Sequence, residues 1–210
     1  MMAGEPILVM GAGVVPCQRV IDLKVRPHVQ WLLRPIGKFM ARIGITPTFT
    51  TLFGLAVAIL GAVLIGTGRL ALGAGIALVG SSIDGLDGSV ARATGSETSR
   101  GAFLDSTSDR LGEVAAFAGL AVAMTGQSRV LLLIVLGVSG ALMVPYLRAR
   151  AEAEGVERGG GGLMGRAERV ILLTAGLVFN AVEPMLWVMV VTTWFTVGQR
   201  FIDTWQALRK

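Results

Sequence analysis

Residues 48–66 form an uncharged apolar run about one bilayer thick, and comparable runs recur to the end of the chain. A backbone in hydrocarbon has no water to bond, so it must satisfy its own amides and carbonyls, and runs of this length do so as helices. Thr46-Pro47 reads as the helix start, because threonine caps well and proline suits the first helical position. Further spans are predicted over residues 70–83, from near Ala102 with an apolar stretch over 114–124, and over 130–147, 170–182 and 184–197. One helix through 170–197 is the alternative, but Asn180, Glu183 and Pro184 argue for a break. Composition agrees: 53% hydrophobic and 16% charged residues, with mean hydropathy +0.68, describe a polytopic membrane protein. The 29 glycines suit closely packed membrane helices.

Charge placement tests the span count. Six spans put all but Arg69 and Arg129 of the 19 Lys and Arg residues on one side. The positive-inside rule then makes both termini cytoplasmic, whereas five spans would leave the C-terminal Arg and Lys outside. The net charge of +5 is therefore spread over membrane flanks and implies no nucleic-acid partner. Ahead of the first span, Val29, Leu32, Leu33, Ile36, Phe39, Met40 and Ile43 fall at helical spacing opposite Arg34, Lys38 and Arg42. That pattern predicts an amphipathic interfacial helix over 26–44, with its basic face toward anionic headgroups and Pro35 at a kink or at its start. Residues 1–25 read as a tail: Gly11-Ala12-Gly13 lacks strand or helix context, and 6–16 is too short to span. The predicted architecture is all-α and integral to the membrane, six transmembrane helices over 45–210 preceded by the interfacial helix.

With only Cys17 and His28, the chain has no internal disulfide, no cysteine cluster and no histidine-based site or triad. Its chemistry falls to carboxylates. Asp84 and Asp87 are i,i+3, with Gly88 and Ala91 on the same side; Gly101, Asp105 and Asp109 are i,i+4,i+8 on a second helix. The short 93–100 connection keeps those helices close, so the four aspartates can converge. Carboxylates at a bilayer edge are costly and usually functional. Four of them make a hard-oxygen site suited to Mg²⁺ or Mn²⁺, and two such ions would balance the charge.

The string Asp84-x2-Asp87-Gly88-x2-Ala91-Arg92, eight residues, then Gly101-x3-Asp105-x3-Asp109, resembles the signature of the CDP-alcohol phosphotransferase family at every fixed position. The surrounding membrane pattern fits that family over about residues 27–205. The resemblance implies displacement of CMP from CDP-diacylglycerol by an alcohol. It assigns two Mg²⁺ ions, with Mn²⁺ as an alternative, to Asp84, Asp87, Asp105 and Asp109, and makes Asp109 the catalytic base. It places Thr48, Thr51, Gly88, Ala91, Arg92, Thr98 and Gly101 around CDP-diacylglycerol, and implies a homodimer. Physical chemistry agrees on the cations, since a pyrophosphate would be repelled by bare carboxylates. The plainer alternatives are helix packing for Gly88 and Ala91, a membrane-flanking charge for Arg92 and caps for the threonines.

Three further segments resemble the phosphatidylinositol phosphate synthase branch of the family: Tyr146-Leu147-Arg148-Ala149-Arg150, Gly165-Arg166-Ala167-Glu168-Arg169, and Gln199-Arg200 with Trp205 beyond the last span. The likeness implies that Arg148, Arg166 and Arg200 bind the phosphate of inositol 1-phosphate, with Arg169 as a substitute for Arg166; arginine suits bidentate phosphate binding. Arg150 and Arg158 read as flanking charges, and Gly159–162 as a flexible linker. A sibling using glycerol 3-phosphate is the nearest alternative. A cation transporter fits less well, because the acidic cluster lies at helix ends near one face rather than at mid-bilayer. A non-catalytic scaffold gives no reason for the aspartate spacing.

Overall fold

Thr46 acts as its place before Pro47 predicts: its Oγ1 accepts the Phe49 N–H at 3.3 Å, and α1 runs Pro47–Gly66. The computed structural model describes residues 46–86, 88, 91, 98–156 and 162–209. The predicted tail and interfacial helix lie outside the described residues, as do Asp87, Arg92 and Arg158. After α1 come α2 (Leu70–Asp84), α3 (Ser99–Ala123), α4 (Ser128–Ala153), α5 (Arg166–Val178) and α6 (Val182–Ala207). All regular structure among the described residues is helical.

By length and composition three helices, α1, α4 and α6, are able to cross a membrane. The other three differ for visible reasons. α2 is apolar but has 15 residues, α5 has 13, and the 25-residue α3 carries Arg100, Asp105, Asp109, Arg110 and Glu113 ahead of its apolar C-terminal part. Several ends also move from the predicted positions. α3 starts at Ser99 because Thr98 Oγ1 caps it. α4 continues through Arg148 and Arg150 to Ala153, and α6 runs on past Trp205, which therefore lies inside the helix. The predicted break after α5 falls at Asn180, whose φ is +53°, a conformation asparagine tolerates better than most residues. Pro184 sits in the first turn of α6, where its missing N–H would have had no helical partner.

α1 packs along both α2 and α3, α4 along α6, and α2 against α5. The α1–α2 contact is backbone to backbone. A Cβ on Gly54 would lie 2.7 Å from the Asp84 amide nitrogen, and one on Gly61 2.5 Å from that of Ala77. From the other side, a Cβ on Gly73 would lie 2.6 Å from the Gly61 carbonyl oxygen, and one on Gly80 2.5 Å from the Ala58 nitrogen. Each helix thus meets the other through two glycines seven residues apart, the small-residue contact that membrane helices use where no hydrophobic effect drives them together. Larger side chains fill the space between the other helices: Phe117, Leu120, Leu133, Ile134, Leu177, Leu186 and Met189 form the core. Leu60, Val63, Val135, Val191 and Phe195 point outward. An apolar exterior around a small-residue α1–α2 contact suits lipid as the surrounding solvent.

Candidate active site

The glycine contact fixes where the first carboxylate stands. Asp84 is the last residue of α2, and the Gly54 backbone lies directly against its amide, so its side chain is held buried at the end of the α1–α2 pair. The next two come from α3. Thr98 Oγ1 accepts the Gly101 N–H at 3.0 Å, and a Cβ on Gly101 would lie 3.2 Å from that oxygen, so glycine lets the cap close tightly. From that start, Asp105 and Asp109 fall one turn apart on the face toward Asp84. Asp84, Asp105 and Asp109 each bring a carboxylate oxygen within 4.8 Å of the others. At an effective dielectric of roughly 20, two like charges at that separation repel by about 3 kcal/mol, so a cation among them is favourable. Its donors, all carboxylate oxygens, suit a hard divalent ion, and Asp84, Asp105 and Asp109 are the described residues that would hold one.

α5 supplies a cation of its own. Arg166, its first residue, pairs through Nη1 with Asp109 Oδ1, and its Nη2 donates to Asp84 Oδ2 at 3.4 Å. The approach to it is anchored: the Met164 N–H donates to Thr196 Oγ1 on α6 at 2.9 Å. Gly162 departs from the flexible linker predicted for 159–162. Its φ is +137°, and a Cβ there would lie 2.5 Å from Thr196 Cγ2, so it is a fitted position against α6.

One turn further, Arg169 makes a separate pair. Its Nε donates to Glu113 Oε1 at 2.6 Å and its Nη2 to Glu113 Oε2 at 2.9 Å, with only 4% and 8% of the two side chains exposed. This fork ties α5 to α3 four residues beyond Asp109. Its remaining nitrogen, Nη1, is buried with no hydrogen-bond partner among the described residues. A cavity of about 40 Å³ adjoins the pair, with Asp109, Glu113, Arg166 and Arg169 among its polar lining. That is room for a few waters.

Arg166, assigned from the sequence to the acceptor phosphate, thus stands at the acidic cluster. Arg169, offered as its substitute, is bound to Glu113, an ion pair the sequence reading missed. Glu113 lies four residues after Asp109 and Arg169 three after Arg166, so matching helical faces of opposite charge were the available signal. Arg200 is buried, and its Nη1 donates to the Val144 carbonyl at 2.8 Å. Its Nε lies 3.5 Å from where a Cβ on Gly162 would be, which puts it behind the segment leading to Arg166. Arg148 is exposed and pairs with Glu152 at 2.8 Å, and Arg150 pairs with Glu154, both along α4. Thr48 is exposed on the first turn of α1, whereas Thr51 is buried and donates to the Pro47 carbonyl at 3.0 Å. Gly88 and Ala91 have helical backbone and are half-buried.

Residues 44–198 match the family model described as CDP-alcohol phosphatidyltransferase. An archaetidylinositol phosphate synthase from Pyrococcus horikoshii is 36% identical over 180 residues, covering 86% of this chain and 94% of the relative. A phosphatidylinositol phosphate synthase from Mycolicibacterium smegmatis is 40% identical over 181 residues, covering 83% and 81%. Among solved structures, the Mycobacterium tuberculosis phosphatidylinositol phosphate synthase in complex with manganese and citrate superposes with a TM-score of 0.77 at 31% identity, covering 82% of this chain and 88% of that one. The same enzyme with CDP-DAG bound gives 0.76, covering 82% and 93%.

Proposed function

This chain belongs to the CDP-alcohol phosphatidyltransferase family, a membrane transferase with a divalent-metal site, and on that premise we propose that it transfers the phosphatidyl group of CDP-diacylglycerol to inositol 1-phosphate. The products are CMP and phosphatidylinositol phosphate. The observation that carries the acceptor is Arg166, a guanidinium placed at an otherwise acidic centre. A neutral polyol would need no such group, whereas a phosphorylated one does, and both relatives above are named as synthases of an inositol phosphate lipid.

In the reaction the acceptor hydroxyl attacks the lipid-linked β-phosphorus of the donor. A P–O bond forms there, the bond to the CMP oxygen breaks, and the hydroxyl proton passes to Asp109. Asp109 suits that role because its carboxylate is partly exposed at the cluster while Asp84 is buried. Mg²⁺ is the proposed ion, as a pair with Mn²⁺ able to replace it; bound at Asp84, Asp87, Asp105 and Asp109, it supplies Lewis-acid stabilisation of the charge on the pyrophosphate and on departing CMP. Thr48, Thr51, Gly88, Ala91, Arg92, Thr98 and Gly101 are the proposed donor contacts. Arg148 and Arg200 join Arg166 as the proposed cations for the acceptor phosphate. The reading also includes six spans, an interfacial helix over 26–44, a cytoplasmic site and termini, and a homodimer.

The experiment is CMP release by the lipid-reconstituted protein with CDP-diacylglycerol and Mg²⁺, comparing inositol 1-phosphate, inositol and glycerol 3-phosphate. Turnover with inositol 1-phosphate alone supports the reading; turnover only with glycerol 3-phosphate keeps the chemistry and overturns the acceptor. The archaetidyl relative motivates a second arm with an ether-linked CDP-lipid donor.

A further inference from the structure

Arg166 and the divalent ion lay claim to the same carboxylates. Its guanidinium engages Asp84 and Asp109, two of the three carboxylates that converge closely enough to hold an ion. An ion on that cluster draws on the same negative charge, and it repels a guanidinium held beside it. The two cations therefore compete. Arg166 is the one built to move. It is the first residue of α5, its side chain is 32% exposed, and it hangs from a flexible stem. The backbone beneath it is held by Met164 on Thr196 and by the Arg169–Glu113 fork, so the side chain can swing while the helix stays.

We propose that Arg166 is a built-in counter-cation, which neutralises Asp84 and Asp109 until a divalent ion takes their oxygens and only then turns its guanidinium to the acceptor phosphate. The second half rests on the acceptor reading given above; the first half stands without it. The device has two consequences. Before the ion arrives, the acidic cluster is held together rather than splayed by its own repulsion. After it arrives, the phosphate site comes into being, so ion and acceptor bind with positive coupling, and that coupling is reciprocal. The order also protects the chemistry, since an acceptor phosphate cannot bind productively at a centre that lacks its ion.

The test uses the full-length chain in detergent without donor or acceptor, with Mn²⁺ as the probe followed by electron paramagnetic resonance. If the guanidinium covers the oxygens in about nine of ten molecules, it weakens apparent ion affinity about tenfold. Arg166→Gln therefore binds Mn²⁺ about tenfold more tightly than the unaltered chain. Arg166→Lys keeps the charge but not the fork, and falls between the two. Equal or weaker binding by Arg166→Gln, in protein whose thermal unfolding is unchanged, overturns the counter-cation. So does Arg166→Lys matching Arg166→Gln, because charge at that position would then be irrelevant. A second arm measures inorganic phosphate binding with and without Mg²⁺. Promotion by Mg²⁺ that is lost in Arg166→Gln supports delivery to the acceptor. Promotion that survives in Arg166→Gln, alongside tightened Mn²⁺ binding, overturns the phosphate role while the displaced counter-cation stands.

Discussion

Arg166 and Arg169 lie one turn apart on α5 and both face acidic residues of α3, yet they do opposite things. Arg169 is closed: two hydrogen bonds to one carboxylate, almost no exposure, and a partner it shares with no other described group. Arg166 is open: it divides itself between two carboxylates, one contact is 3.4 Å long, and a third of its side chain meets solvent. A buried pair with matched geometry is expensive to break from one side, because the partner charge is left stranded. A half-exposed cation shared between ligands exchanges readily. The first arrangement fixes α5 against α3, and the second leaves a cation able to exchange partners.

The contrast is easiest to break at Asp109, which touches the open arginine. Asp109→Asn removes the proposed base but leaves the Glu113–Arg169 pair four residues away, so CMP release should fall by roughly 10²–10⁴-fold with unfolding in detergent little changed. Arg169→Met should reverse that pattern. It strands Glu113 and should destabilise the protein by about 3–5 kcal/mol, while Arg169→Met with Glu113→Leu recovers most of the loss. Denaturation of the single and double variants checks this, and a double variant no better than the single would show that the pair is tied to something else. With Mg²⁺ present, Arg166→Gln should spare stability and raise the KM for inositol 1-phosphate by an amount worth about 1.5–3 kcal/mol, the range for hydrogen bonds to charged groups. Gly54→Ala reaches the site through the backbone. Its Cβ would press on the Asp84 amide, so both stability, by about 1–3 kcal/mol, and turnover should drop. Gly75→Ala, with nothing within 4 Å, is the control and should be neutral or slightly stabilising. Smallest is Arg148→Ala, whose exposed i,i+4 pair with Glu152 contributes at most about 0.5 kcal/mol; any larger rise in acceptor KM would then report a phosphate contact.

Much of this was legible in the chain because it is local. Apolar runs, the Thr46-Pro47 start and the Asn180 break are read within one helix, and the i,i+4 step from Asp105 to Asp109 survives any packing. Helix ends were less legible. α4 and α6 outrun their apolar stretches because a helix that leaves the hydrocarbon has no reason to stop at a polar residue. Span length also resisted: α2 and α5 are too short and α3 too charged to qualify by composition, so their place depends on neighbours. The glycines form two pairs, 54/61 and 73/80, each spaced by seven residues, but nothing in either helix says that those two faces meet.

The sequence by itself determined an all-helical membrane chain, a family, and the carboxylates available for an ion, since each follows from residue type and spacing. Only the tertiary structure decided which arginine stands at the acidic cluster and which one braces. Arg166 and Arg169 are chemically identical and three residues apart, and what separates them is the depth at which each meets α3: one at the open end beside Asp84 and Asp109, the other a turn deeper, where Glu113 is shut away from solvent and a charge must have a partner.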